Sequence, residues 1–124
     1  MRGIANYFGS YDLETKELYR SPLIFPWSLN PYYLTYSSKR QEAYLVGAQD
    51  KFYIVDTKTK DYKLKATIDL NGKIPGPSRV VLNPDENICF VSCSKSNLVF
   101  AIDLDKKRIF KTIPMVAPYL MILF

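Results

Sequence analysis

The feature that most constrains the fold of this chain is a sequence repeat with a period of about 45 residues. Three segments share a pattern of Asp, any residue, a charged residue, Thr or Lys, and then Lys: Asp12–Lys16, Asp56–Lys60 and Asp103–Lys107. The spacings between their aspartates are 44 and 47 residues. Each segment follows an apolar or aromatic residue, and an aspartate in that place caps a tight turn by accepting backbone N–H groups. The repeat therefore predicts three equivalent hairpin turns.

A second set of landmarks keeps the same spacing. Pro31, Pro77 and Pro118 each precede a short apolar run, and they lie 46 and 41 residues apart. Proline is tolerated at the first position of a strand, where its missing N–H is not needed. A further strand-like run lies between each of the first two prolines and the next aspartate, so the order of landmarks is the same in both units.

Each complete unit is expected to contain four strands. The predicted strands are residues 32–36, 43–47, 52–55 and 62–68 in the first unit and 78–82, 88–93, 98–102 and 108–113 in the second. The third strand of each unit is apolar on both faces, whereas 62–68 alternates, with Tyr62, Leu64, Ala66 and Ile68 expected on one face. No segment shows a helical 3.6-residue period. Four strands in about 45 residues predict an all-β chain built from the blades of a β-propeller.

The segment from Asn83 to Asp103 resembles the YVTN-type β-propeller repeat, a WD-repeat-like class. It has a turn at 83–86, a strand containing Val91-Ser92-Cys93, a Ser/Asn turn, and an apolar strand that ends in aspartate. Glu86 stands where the family usually has glycine, and Val-Ser-Cys replaces Val-Thr-Asn. In the first unit, residues 37–40 (Ser-Ser-Lys-Arg) replace the Asn-Pro-Asp turn. The resemblance extends from about Tyr7 to Phe124, and it implies a fold rather than a function.

The repeat divides the chain into a partial blade (1–30), two blades (31–76 and 77–117) and the first strand of a next blade (118–124). Closed propellers usually have four to eight blades, so the ring is expected to be incomplete in this chain. The chain is then a piece of a longer propeller, or it assembles with copies of itself, or it docks on another protein. A lipid-binding-type β-barrel is an alternative fold, but it explains neither the aspartate turns nor the prolines.

The absence of histidine restricts the chemistry that this chain can perform. There is no histidine in the sequence, which excludes Ser-His-Asp and Cys-His catalysis. Cys89 and Cys93 fall in one predicted strand, roughly 13 Å apart, well beyond the ~7 Å limit for a disulfide. We expect both to be buried, reduced and free of metal. No catalytic residue, metal site or cofactor is assigned.

The charge pattern gives little support to nucleic-acid binding. Seventeen basic and twelve acidic residues give a net charge of +5, yet the basic residues form no large block: acids interrupt the group at 56–65, and Asp103 and Asp105 precede the run 106–108. Such interspersed charges are typical of solvated turns and strand faces, and no nucleic-acid-binding motif is present. No apolar run reaches the length of a signal peptide or of a membrane span. We therefore expect a soluble, cytoplasmic chain with no membrane span.

These observations favour a non-catalytic binding or scaffold module that mediates protein–protein interaction or self-association. The candidate binding residues lie on loops that join fourth to first strands and second to third strands, at one end of the blades: Trp27, Tyr32, Gln49, Arg79, Lys95 and Asn97. The alternative is a fragment of a propeller enzyme, lactonase-like or quinone-dependent. The sequence identifies no small-molecule ligand.

Overall fold

A computed structural model describes residues 6–25, 31–47, 51–59, 62–70, 77–93 and 97–115. All regular secondary structure within these ranges is β-strand, as the sequence predicts. The strands are β1 (Asn6–Tyr11), β2 (Leu18–Phe25), β3 (Pro31–Ser37), β4 (Glu42–Gly47), β5 (Lys51–Asp56), β6 (Leu64–Asp69), β7 (Pro77–Leu82), β8 (Ile88–Cys93), β9 (Leu98–Asp103) and β10 (Arg108–Pro114).

The strands form three antiparallel units. Strands β3 to β6 make a first four-stranded sheet in sequence order, strands β7 to β10 make a second, and β1 pairs with β2 as an N-terminal hairpin. This confirms the prediction of four strands per repeat, with each boundary within two residues of its expected place. Within the described residues the units form an open series rather than a closed ring. The predicted strand at 119–124 lies outside the described residues.

The two sheets pack face to face through a shared hydrophobic core. The core takes side chains from both sheets. Its buried members are Tyr44, Val46, Phe52, Ile54, Ile68 and Leu70 of the first sheet and Val80, Cys89, Val91, Cys93, Phe100, Ile102 and Leu104 of the second. The other face of the first sheet forms a second buried cluster beside Tyr19 of the hairpin. Burial on both faces explains why residues 52–55 of β5 and 98–102 of β9 are all apolar.

The repeated aspartates cap equivalent turns, as predicted. The carboxylate of Asp12 accepts the N–H groups of the second and third following residues at 2.8 and 3.1 Å. Asp103 does the same at 2.9 and 2.9 Å, and Asp56 accepts the N–H of Lys58 at 2.8 Å. The last residues of the first and third motifs, Lys16 and Lys107, adopt φ of 60° and 55°. The first and third turns therefore have the same length and cap, whereas the turn after Asp56 is two residues longer, with the Asp56 N–H bonded to the carbonyl of Lys63.

The turn between β7 and β8 has a left-handed backbone at position 86. The side-chain carbonyl of Asn83 accepts the N–H groups of Asn87 and Ile88 at 3.0 and 2.9 Å and closes the turn. Glu86 has φ of 56°, in the left-handed region where glycine has no Cβ penalty. The position thus favours the glycine that the resembled repeat usually carries.

The predicted face is wrong for the first two apolar residues of the predicted fourth strand, Tyr62 and Leu64. Ala66 and Ile68 pack into the core between the sheets, as expected, but Tyr62 packs into the cluster on the opposite face. The ladder between β5 and β6 has a register shift at this point, with Val55 opposite Leu64 and Ile54 opposite Ala66. The extra residue, Lys65, moves the alternation to the other face. Period-two counting fails across such a bulge.

Both cysteines are buried in β8 on the face that meets the first sheet, and neither forms a disulfide. The predicted burial is confirmed. Burial raises the pKa of the Cys89 thiol well above its ordinary value, so the reactive thiolate is suppressed.

Candidate functional site

The structure describes three of the six predicted binding residues, and Trp27, Gln49 and Lys95 lie outside the described residues. Tyr32 lies within β3 and Arg79 within β7, so the prediction that these two residues lie on loops is wrong. Arg79 and Asn97 lie at the same end of the second sheet, because Pro77 and Leu98 both pair with Cys93. Their role in binding stays a prediction.

Arg79 contributes to the contact between the two sheets. Its guanidinium carbon lies 5.0 Å from the centroid of the Tyr33 ring, a cation–π distance. Asn97 is exposed, has φ of 55°, and its carbonyl accepts the N–H of Met115 at 2.9 Å. Of these two residues, Arg79 joins the first strands of adjacent sheets and Asn97 holds the start of β9 against the end of β10.

A charged cluster that the sequence analysis missed lies at the opposite end of the sheets. Its centre is Glu42, which is only 3% exposed. Oε1 of Glu42 accepts hydrogen bonds from Tyr44 Oη at 2.7 Å and from Arg40 Nε at 3.0 Å, and Oε2 accepts one from Lys65 Nζ. Asp105 completes the set by accepting a bond from Arg40 Nη2 at 2.9 Å. We call these five residues the Glu42 cluster.

Two local features bring the cluster together. The hydroxyl of Ser37 accepts the N–H of Arg40 at 3.0 Å, and Gln41 adopts φ of 52°, so the β3–β4 turn sets Arg40 beside Glu42. The bulge of β6 places Lys65 within reach of the same carboxylate. The turn and the bulge are both short-range irregularities in otherwise regular strands.

The hydrogen bonds decide the charge states within the Glu42 cluster. Burial favours a higher pKa for Glu42, but the bonds from Lys65, Tyr44 and Arg40 outweigh it and hold the pKa below its ordinary value of 4.5. For Arg40, burial opposes the charge, while the bonds to Asp105 and Glu42 raise the pKa above its ordinary value. Burial, and then the bond to Glu42, raise the pKa of Tyr44. The cluster is therefore an ionised carboxylate held by two cations and a neutral phenol.

The Glu42 cluster connects the two sheets. Arg40 belongs to the first sheet's β3–β4 turn, whereas Asp105 belongs to the β9–β10 turn of the second. Lys39 adds a second link by donating to the backbone carbonyl of Asp85 at 3.3 Å. The Glu42 carboxylate is ionised and surrounded by hydrogen-bond donors. It is therefore suited to holding Arg40 in place between the β3–β4 and β9–β10 turns rather than to accepting a proton from a substrate.

The repeat itself carries a signal for this cluster. Glu42 pairs with Asp56 in the first sheet, and Ile88 pairs with Asp103 in the second. The two units therefore place a carboxylate and an isoleucine at the same position. A charged residue at a position that is apolar in the sister repeat marks a buried charge with partners elsewhere in the fold.

A cleft of about 290 Å³ lies where the N-terminal hairpin meets the first sheet. It is lined by Ser10, Tyr11, Asp12, Glu17, Leu18, Tyr19 and Tyr62. The hydroxyl of Tyr62 donates to Ser10 Oγ at 2.6 Å, and its ring meets that of Tyr19 edge to face at 5.9 Å. Tyr62, which the sequence predicted on the other face of the sheet, thus joins the hairpin to the first sheet.

Within the described ranges, no group of three or more His, Cys, Asp or Glu residues is placed to hold a metal ion. In the same part of the chain, no helix is long and apolar enough to cross a membrane.

No protein-family model and no curated protein matches this chain, but solved structures do. Hydrazine synthase from Kuenenia stuttgartiensis aligns with a TM-score of 0.63 and 18% identity, over 73% of this chain and 25% of that one. AztD from Citrobacter koseri aligns with a TM-score of 0.61 and 17% identity, over 93% of this chain and 30% of that one. This chain thus spans less than a third of either structure. Both are β-propeller proteins, and the likeness shows that the two four-stranded sheets are adjacent β-propeller blades.

Proposed function

We propose that this chain is a non-catalytic binding or scaffold module of the β-propeller type that mediates protein–protein interaction. The observation that carries the proposal is the state of Glu42, the buried acidic residue of the described ranges. Its carboxylate is already neutralised by Arg40 and Lys65, so it serves the packing of the blades. The other described acids lie on partly or fully exposed turns and strand ends. Acids at such positions are suited to contacting a partner rather than to catalysis.

The proposal includes a YVTN-like origin for the repeat. The Asn83 turn, the left-handed backbone at Glu86 and the terminal Asp103 cap support it. These are structural features, and they set rigid β7–β8 and β9–β10 turns side by side at one end of the blade, because Ile88 pairs with Asp103. Rigid turns limit the conformational entropy lost on binding, which favours a recognition surface.

The alternative, a piece of a lactonase-like or quinone-dependent propeller enzyme, has one observation in its favour. Hydrazine synthase, by its name, is an enzyme built with this architecture. An enzyme of this kind would bring carboxylates to the inner strands, which are the first strands of the blades and lie next to the central channel of a propeller. In the described part of the chain, the inner strands β3 and β7 carry no acidic residue.

Site-specific photo-cross-linking tests the proposal. The photoreactive residue p-benzoylphenylalanine replaces one exposed side chain per surface: Met115 at the predicted loop end, Lys106 at the opposite end, and Leu13 on the hairpin. We expect a discrete protein adduct from one surface, which excess unmodified chain competes away. The identified partner, once purified, should bind the unmodified chain at a fixed stoichiometry.

The control is a photoreactive residue at a second position on the reactive surface, which should give the same adduct. Positions on the other surfaces should give no adduct. Absence of a competable adduct at every position contradicts the proposal. Turnover of lactone, ester or amine substrates in proportion to the purified chain would instead support the enzyme alternative.

A further inference from the structure

We propose that the cleft between the N-terminal hairpin and Tyr62 binds a lysine or arginine side chain of a partner protein. The proposal rests on the proposed function, because it names the partner chemistry of one surface. We call the seven lining residues the hairpin cleft. Its volume of about 290 Å³ is at the small end of ligand sites, a size suited to one side chain rather than to a drug-sized molecule.

The hairpin cleft combines carboxylates with aromatic rings. Asp12 and Glu17 line it together with three tyrosines, and the lining contains no basic residue. A carboxylate beside an aromatic face attracts a cation by charge and by the quadrupole of the ring. The chain as a whole carries a net charge of +5, whereas the lining of the hairpin cleft has two acidic residues and no basic one. Charge complementarity therefore selects a cationic occupant.

The floor and one wall of the hairpin cleft are held in place. Tyr62 is buried and donates to Ser10 Oγ at 2.6 Å, while Tyr19 packs edge to face against it. The carboxylate of Asp12 is oriented by two turn N–H groups at 2.8 and 3.1 Å. A pre-organised wall reduces the cost of binding. The orientation of these groups comes from the fold and not from the occupant.

The rim of the hairpin cleft is apolar and exposed. Leu18 is 79% exposed and Leu13, on the adjoining turn, is 84% exposed, while Tyr11 is 55% exposed. Lysine and arginine have long apolar stems that bury against such surfaces while the charged head reaches a polar group. The proposed occupant is thus an arginine or lysine flanked by apolar residues in a protein segment.

A peptide titration tests the proposal. The probe is acetyl-Leu-Arg-Leu-amide, added to the whole chain carrying isotope-labelled tyrosine rings and followed by NMR at low salt. We expect shifts at Tyr11, Tyr19 and Tyr62. The neutral analogue, with citrulline for arginine, should bind at least tenfold more weakly, because it keeps the shape and loses the charge.

Variants locate the binding. The double variant D12N/E17Q should weaken binding about tenfold, and the asparagine keeps the oxygen that caps the turn. The matched control, Glu14→Gln, removes a charge from the same turn outside the cleft lining and should change affinity less than twofold. Leu18→Ser should weaken binding several-fold, whereas Leu13→Ser, outside the lining, should change it less.

Several results would overturn the proposal. Equal binding of the arginine and citrulline peptides would do so, and so would equal effects of D12N/E17Q and Glu14→Gln. If the tyrosine signals shift on concentrating the chain alone and the peptide adds nothing, the occupant is a second copy. Protein adducts at Met115 or Lys106 together with a silent hairpin cleft would reject this inference and leave the proposed function standing. Absence of adducts everywhere would reject the proposed function itself.

Discussion

Replacing Glu42 by glutamine should destabilise the chain by about 2–3 kcal/mol. The variant keeps the size of the side chain but leaves Lys65 without its carboxylate and Arg40 with Asp105 alone. Removing one partner of a buried ion pair costs about 3–5 kcal/mol. The side chains of Arg40 and Lys65 are 22% and 33% exposed, so water solvates part of the stranded charge and the expected cost is lower.

Urea unfolding measures this change, with the slope m expected to stay the same. The matched control is Lys51→Gln, which removes a surface pair with Asp69 at 3.5 Å and should cost less than about 0.5 kcal/mol. A double-mutant cycle with Lys65→Met should give a coupling energy of about 1 kcal/mol or more. A loss for Glu42→Gln no larger than that of the control would refute the reasoning.

The same variant makes a prediction about pH. Because the pKa of Glu42 is lower in the folded chain than the ordinary 4.5, its contribution to the free energy of unfolding is complete above about pH 4.5. The contribution is lost as the pH falls through the lowered pKa. The wild-type chain should therefore lose more stability than Glu42→Gln on acidification below 4.5. Parallel acid profiles would contradict the assignment of an ionised, hydrogen-bonded carboxylate.

Three further variants or probes test other parts of the fold. Cys89 and Cys93 should resist a thiol reagent in the folded chain and both react after unfolding, because burial raises the pKa of Cys89 and blocks access; fast native reaction would argue against their burial. Glu86→Gly should raise the free energy of unfolding by about 0.5–1 kcal/mol by relieving the left-handed backbone, whereas Glu86→Ala, which keeps Cβ, should not. Ser92→Ala should raise it by about 0.5–1 kcal/mol, since the Ser92 hydroxyl is buried without a hydrogen-bond partner among the described residues; a loss above 1 kcal/mol would reveal a missed partner.

The repeat allowed the architecture to be predicted because its signals are local. An aspartate that caps its own turn, as at Asp103, acts over two or three residues, and the strand boundaries follow from such turns and from proline positions. The apolar third strand of each unit likewise reports burial on both faces without reference to any partner. Features set by a few neighbouring residues are therefore readable in the sequence.

The Glu42 cluster and the hairpin cleft depend on contacts between residues that are far apart in the sequence, and local sequence patterns do not predict such contacts. Arg40 and Asp105 are 65 residues apart, and Tyr62 reaches Ser10 across 52 residues. A single bulge at Lys65 placed Tyr62 on the opposite face, where it meets Ser10, and brought Lys65 to Glu42. Position-by-position comparison of the repeats, Glu42 against Ile88, was the one available signal for the cluster.

The central claim is that the chain contains two successive propeller blades that stack through one face of each. Methyl NOEs measured on the chain with labelled Ile, Leu and Val test it most directly. NOEs are expected between Val46 or Ile54 of the first sheet and Val80 or Val91 of the second, and none from Leu45 or Val55 to the second sheet. NOEs from Leu45 or Val55 to the second sheet, or a hydrogen-bonded ladder that joins the two sheets into one barrel, would contradict it.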